Sequence, residues 1–226
     1  MIRVEKVCYS YKSKFQTTQA VKNVSCSFEK GKMYAIVGRS GSGKSTLLSL
    51  LAGLDLPSSG TIYINNKDIR EMNRDAYRMN TAAMIYQAFH LFPLLTVIEN
   101  VMFPMELQKK SKKSAKEKAA VLLSKVGLKE EYYHKFPDML SGGEQQRVAV
   151  ARAIASGGEI ILADEPTGNL DSDNEMNIVN LLLRLAHEEQ FVVIVVTHNE
   201  NVAMAADAIL EMSDGELPEV KDGAKK

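Results

Sequence analysis

Apolar positions along this chain change their spacing from region to region, and each spacing marks a different kind of element. Residues 2–9, 21–29 and 60–65 alternate or cluster β-branched and aromatic side chains between turns rich in Gly, Asn and Lys, as antiparallel strands do. They predict an N-terminal β layer. By contrast, Met33–Val37, Ile160–Ala163, Val192–Val196 and Ala208–Met212 are short, nearly continuous apolar runs, the pattern of parallel strands covered on both faces. Together with a short strand at Ala83–Tyr86, they predict a central sheet. Between Thr96 and Ser156 the spacing becomes helical: Val97, Val101 and Met105, then Ala119, Leu122, Leu123 and Val126, recur as on one helix face. This stretch reads as a helical insertion, about 88–156, in an α/β chain. Neither a repeat nor a long linker interrupts the order, so residues 1–226 are expected to form one domain whose polar end, Gly215–Lys226, frays.

Composition narrows the partners. With 226 residues and 45% hydrophobic content the chain can bury a sizeable core. Lysine plus arginine equals aspartate plus glutamate at 28 each, so no global field draws it onto nucleic acid, which is not expected as a partner. The lysine-rich stretch of Lys109, Lys110, Lys112, Lys113, Lys116 and Lys118 lacks interleaved aromatic residues. It reads as a solvated helix end rather than a patch for lipid headgroups or nucleic acid. The longest apolar stretches, such as Phe191–Val196, are far shorter than the roughly 20 residues needed to span a bilayer. No secretory signal pattern occupies Met1–Phe28, so cytosolic residence is expected. Cys8 and Cys26 fall in expected strands and read as buried, reduced thiols, since two cysteines cannot scaffold a chain this size.

The chemistry sits at the ends of the apolar runs. Gly38-Arg39-Ser40-Gly41-Ser42-Gly43-Lys44-Ser45, continued by Thr46, fits a loop whose glycines turn backbone N–H groups onto phosphate oxygens while the lysine adds a point charge. It opens a helix carrying Leu47, Leu48, Leu50 and Leu51, whose unpaired N–H groups face the same phosphates. A nucleoside triphosphate is the expected ligand, with the Ser45 hydroxyl on Mg2+. The run Ile160–Glu165 ends a strand on two adjacent carboxylates, where open α/β sheets present ligand-binding residues. Asp164 is expected to orient Mg2+. Glu165, pointing the other way on an extended segment, is the general-base candidate for an attacking water. His198 follows the strand ending at Thr197 and can donate to a terminal phosphate, although a histidine there is otherwise an ordinary surface residue. Gln87 can touch Mg2+ or water through its amide, though taken alone it is only a solvated loop residue. In Leu140-Ser141-Gly142-Gly143-Glu144-Gln145-Gln146-Arg147, Ser141 and Glu144 make a capping box. That leaves unexplained Gly142 and Gly143, which each cost about 1 kcal/mol in a helix relative to alanine unless a backbone must approach closely. An anion docking there is the expectation.

From about Ile2 to Gly215 the order of these motifs resembles a nucleotide-binding subunit of an ATP-binding cassette (ABC) transporter. The resemblance implies a P-loop NTPase fold, ATP and Mg2+ as ligands, and ATP hydrolysis. It also implies an ATP-dependent homodimer in which two chains sandwich two ATP molecules head to tail. Ser141, Gly142, Gly143 and Glu144 would then contact the nucleotide held by the partner's phosphate loop. Tyr11 matches the ring that stacks on adenine, Gln87 the glutamine linking the site to a membrane subunit, Asp171 the cross-dimer loop and His198 the switch histidine. Phe89–Val101 and Asp164–Asp171 are similar to the branch of lipoprotein-release, macrolide-export and peptide-antibiotic-resistance ATPases. That branch implies peripheral attachment at the cytoplasmic face of the membrane through a permease on a separate chain. Cell-division ATPases are close relatives, and an ATPase that remodels a protein or nucleic-acid complex is the reading from another class. Two departures are visible: Ser156-Gly157-Gly158-Glu159 stands where an Asn/Lys-Pro turn is usual, and Asn199 follows His198 where aspartate is common.

Overall fold

Strand-by-strand burial explains the two kinds of apolar pattern. The computed structural model describes residues 1–13 and 16–217. Strands β1 (Ile2–Lys12), β2 (Thr17–Phe28), β4 (Ser59–Ile64) and the short β5 (Lys67–Asp68) form an antiparallel sheet in the order β2-β1-β4-β5. Strands β3 (Lys32–Val37), β6 (Ala82–Tyr86), β7 (Ile160–Asp164), β8 (Val192–Val196) and β9 (Ala208–Glu211) form a parallel sheet in the order β6-β7-β8-β3-β9. Alternate residues of the central parallel strands enter different cores, whereas on the edge strand β9 Leu210 is buried but Ile209 is 48% exposed, so that run is covered on one face only. Ile160, Leu162, Val192, Ile194 and Val196 pack toward the antiparallel layer and the helix α1 (Lys44–Leu51), whereas Ile161, Ala163, Val193 and Val195 pack toward the helices on the other face. Burial on both faces makes the central runs continuous.

Between β6 and β7 the chain forms α3 (Val97–Leu107), α4 (Lys112–Lys125) and α5 (Gly142–Ala155). Val97, Val101, Met105, Ala119, Leu122, Leu123 and Val126 are all buried there, as their spacing predicts. The lysines at the start of α4 are exposed, matching a solvated helix end. Both α3 and α5 open on capping boxes, Thr96 with Glu99 and Ser141 with Glu144, each satisfying two N–H groups at a helix start. Asn100 is fully buried, and its amide takes the Phe92 N–H and donates to the carbonyls of Phe92, Leu95 and Thr96. One side chain thus fixes the loop entering α3.

Three helices lie outside the pattern read from the sequence. Helix α2 (Arg74–Asn80) is capped by Asn73 and pinned by the Tyr77 hydroxyl, which donates to the Leu51 carbonyl at 2.8 Å. Helix α6 (Ser172–Glu189) buries Ile178, Val179, Leu181, Leu182, Leu185 and Ala186 on one stripe, and α7 (Glu200–Ala205) follows β8. The expected fraying is also corrected in part. The Gly215 N–H donates to the Ser42 carbonyl, the Lys22 N–H donates to the Gly215 carbonyl, and Leu217 is buried. The remainder of the expected frayed end, 218–226, lies outside the described residues. Cys8 and Cys26 are free as expected but only partly buried, and the packing around Cys26 pushes its thiol up to about 12.

Candidate nucleotide site

The phosphate loop is the turn from β3 into α1, and neighbouring backbones shape it as much as its own sequence does. A Cβ on Gly38 would collide with the Met212 carbonyl oxygen and one on Gly43 with the Ala20 carbonyl oxygen. Both glycines also hold positive φ, +147° and +103°, where side chains are disfavoured. Gly41 has open space around it. Lys44 is buried, and its ammonium donates to the carbonyls of Gly38 and Arg39 at 2.8 and 2.9 Å. The Ser42 N–H donates to the Arg39 carbonyl, while the Ser42 hydroxyl is buried without a partner among the described residues. Such an orphaned group fits a ligand oxygen better than a finished turn. Arg39 and Ser40 are exposed at the rim.

Side chains from β1 and β7 meet this loop. The Tyr11 hydroxyl lies 3.2 Å from the Thr46 hydroxyl, and its ring, 49% exposed, packs edge-on against Tyr9. The Ser45 hydroxyl donates to Asp164 Oδ1 at 3.2 Å. Burial pushes the Asp164 carboxyl above the usual carboxylate range, aided by Glu165, although the Ser45 bond and the Lys44 charge oppose it. An adjacent cation would favour the ionised form.

Glu165 points where it does for a reason other than strand alternation. The strand ends at Asp164, and Glu165 adopts a left-handed backbone, φ +49°, with its N–H donating to the Val196 carbonyl. A non-glycine residue there costs about 1–3 kcal/mol, so the turn is held by its surroundings. Its carboxylate, 19% exposed, lies 2.9 Å from His198 Nδ1 and accepts a longer bond from the His198 N–H, while the His198 side chain is 72% exposed.

Gln87, at the end of β6, turns its amide onto Asn169: Nε2 donates to Asn169 Oδ1 at 3.2 Å and Asn169 Nδ2 donates back to the Gln87 carbonyl. Gly168 leaves room for that amide. The next residues, Phe89 and His90, have positive φ and are held by Arg152 of α5, which donates to both carbonyls. The helix that carries Ser141–Glu144 therefore also holds the loop after Gln87.

At the start of α5 the two glycines separate. Gly143 sits against Asn174 of α6, whose Oδ1 would lie 2.5 Å from an added Cβ, whereas Gly142 meets only ordinary contacts with Leu170, Phe89 and Asn169. At Gly143 the Asn174 side chain is thus a reason for glycine beside the expected anion. Asn174 is in turn gripped by the carboxylate of Asp171, the cap of α6. Among the described residues no hydrogen bond or ion pair joins Ser141–Glu144 to the phosphate loop.

A profile of the ABC transporter family matches residues 21–168. The chain belongs to the ABC transporter family. The lipoprotein-releasing system ATP-binding protein LolD of Legionella pneumophila is 42% identical over 94% of this chain and 95% of its own length. The macrolide export ATP-binding/permease protein MacB of a Shewanella species is 44% identical over 92% of this chain, which spans only 32% of that relative. The dimeric post-hydrolysis structure of the ATP-binding cassette MJ0796, bound to ADP and Pi, superposes with a TM-score of 0.88 at 37% identity, covering 97% of each chain. This ABC chain is accordingly an ATP-binding ATPase of the transporter type, with the α/β cassette fold the motifs imply. Sequence reasoning missed Asn100, Arg152 and Asn174; of these only Asn174, three residues after the Asp171 cap, carries a local signal.

Proposed function

We propose that two copies of this chain close head to tail on two ATP molecules, hydrolyse them, and pass the motion to a membrane permease on a separate chain. The reading rests on one observation: the phosphate loop and the Ser141–Glu144 segment are each well formed, yet among the described residues no hydrogen bond or ion pair joins them. Each is a half-site that a second copy completes. The dimeric state of the MJ0796 cassette supports the pairing.

Lys44, the Ser42 hydroxyl and the first-turn N–H groups of α1 would hold the phosphates, and the Tyr11 ring the adenine. Ser45 and Asp164 would hold Mg2+ through oxygen, the ligand type it prefers, and the ion would supply charge neutralisation on the phosphates. Glu165 accepts the proton of the attacking water. His198, bonded to Glu165 through Nδ1, keeps Nε2 for the terminal phosphate. Gln87 and Asp171 report on the nucleotide through Asn169 and the start of α6.

Beside Gln87, an open groove of about 310 Å³ is lined by Leu54, Met79, Met84, Phe92, Phe103 and Leu107. It would receive the permease. That MacB joins an ATP-binding and a permease portion supports such a partner, and LolD supports lipoprotein release or a similar extrusion task. No helix of the described residues is long and apolar enough to cross a membrane, and we infer peripheral attachment at the cytoplasmic face, with residues 1–226 acting as one domain.

Mixing two inactive variants tests the shared site. Lys44→Ala keeps the Ser141–Glu144 half and Gly142→Asp keeps the phosphate loop, so a mixed dimer has one intact composite pocket. Turnover should return on mixing; two preparations that remain inactive together would contradict the scheme.

A further inference from the structure

Asn199 uses both ends of its side chain. Its Oδ1 accepts the N–H groups of Asn201 and Val202 at the start of α7, and its Nδ2 donates to Glu175 Oε2 at 2.7 Å. Its backbone N–H donates to the hydroxyl of Thr197, which is itself fully buried. The residue after His198 is therefore fixed at three points, whereas His198 has only Glu165 as a described partner. Glu175 is 9% exposed on the stripe of α6 that buries Ile178, Val179 and Leu182. A carboxylate in such surroundings needs a donor, and among the described residues that donor is Asn199. Through the Glu175 N–H, which donates to the Asp171 carbonyl, the pair also reaches the cap of α6.

We propose that Glu175 and Asn199 are a matched positioning pair that holds His198 against Glu165 and ties that contact to the Asp171 end of α6. The chemistry is selective. Asparagine caps through its oxygen and donates through its nitrogen, whereas aspartate caps equally well but cannot donate. Asparagine at 199 gives Glu175 the donor that an aspartate there would withhold. The side chains of Glu175 and Asn199 bond to each other and to the start of α7, not to the phosphate loop, so the pair acts on turnover and leaves nucleotide affinity alone. This inference rests on Glu165 acting as the base.

Asn199→Asp keeps the α7 cap and sets two carboxyl groups face to face. It should lower kcat by about tenfold, the scale of a displaced catalytic group, with the KM for ATP within about twofold. The swapped pair Glu175→Gln with Asn199→Asp restores a donor opposite an acceptor and should return kcat to within about threefold of the starting protein. A purely structural contact would move thermal stability without this kcat-specific loss and rescue. Wild-type kcat in Asn199→Asp, or a swapped pair as slow as the single variant, overturns the proposal. Should Asn199→Asp fail to fold, Glu175→Ala is read the same way, with loss of kcat expected and wild-type kcat contradicting it. Glu165→Gln, assayed in parallel, separates the two layers: if it keeps turnover, the base assignment fails; if it alone loses turnover, only the pair is wrong.

Discussion

At the phosphate loop, Gly38 and Gly43 are hemmed in by carbonyls of Met212 and Ala20; at the start of α5, Gly143 is pressed by Asn174 while Gly142 meets nothing closer than ordinary contact. Both segments open helices, and both read from the sequence as backbone cleared for an anion. The structure divides that reading. Glycine at 38 and 43 is demanded by backbone carbonyls, glycine at 143 is pressed by the Asn174 side chain, and at the α5 start only 142 leaves room for a larger residue. The proposed contact with a partner's phosphates would supply a reason for glycine at that position. The phosphate loop is shaped by the backbone packed around it, whereas the α5 start keeps open space at Gly142.

The sharpest break of this comparison is Lys44→Ala. Removing the one buried cation of the loop should abolish tight ATP binding by calorimetry, and unchanged affinity would overturn the loop assignment. Next come Gly38→Ala and Gly43→Ala. Each drives a methyl into a backbone carbonyl at positive φ and should cost more than about 3 kcal/mol, which in a chain of this size lowers Tm by roughly 6–12 °C. The paired test at α5 is smaller and more telling. Gly143→Ala, forcing Asn174 aside, should cost about 1–2 kcal/mol of stability, whereas Gly142→Ala should leave Tm unchanged or slightly raised while slowing ATP turnover about tenfold or more. Equal losses of stability would erase the distinction between the two glycines.

The smallest effect concerns acid. The Thr96 hydroxyl and N–H hold Glu99 below the usual carboxylate range; at Glu144 partial burial pushes upward, but bonds from the Ser141 N–H and hydroxyl prevail and the net shift is down. Carboxyls lowered by folding stabilise above their ordinary value, about 4.3 for glutamate, and that contribution is lost as pH falls through the lower folded values. Acid unfolding monitored by circular dichroism should become less steep in the double variant Glu99→Gln, Glu144→Gln.

What could be read from the sequence was local. The phosphate loop, both classes of strand and the helical spacing of Val97–Met105 depend on neighbours a few residues away, and they are where the pattern places them. Helix α6 has an equally local stripe, Ile178 to Ala186, so its existence was legible although the motifs around it did not require it. Its important contacts were not. Asn174 on Gly143 and Glu175 on Asn199 join segments brought together only by the parallel sheet. Glu165 shows the limit from the other side: the residue was identifiable, but its direction comes from a left-handed turn after the strand rather than from alternation along it. Gln87 likewise meets Asn169, a pairing across β6 and β7 that no spacing encodes. The brace of Gly215 on the phosphate loop ran against composition, since a polar end reads as solvated.

The central claim is that each chain supplies half of a pocket shared by two. Glu165→Gln should cut turnover by about 10² or more while leaving ATP bound, so the closed pair accumulates. Sedimentation or light scattering of this variant with ATP and Mg2+ should give twice the monomer mass, reverting to monomer when Lys44→Ala is added. A single-chain mass with ATP bound would contradict the account.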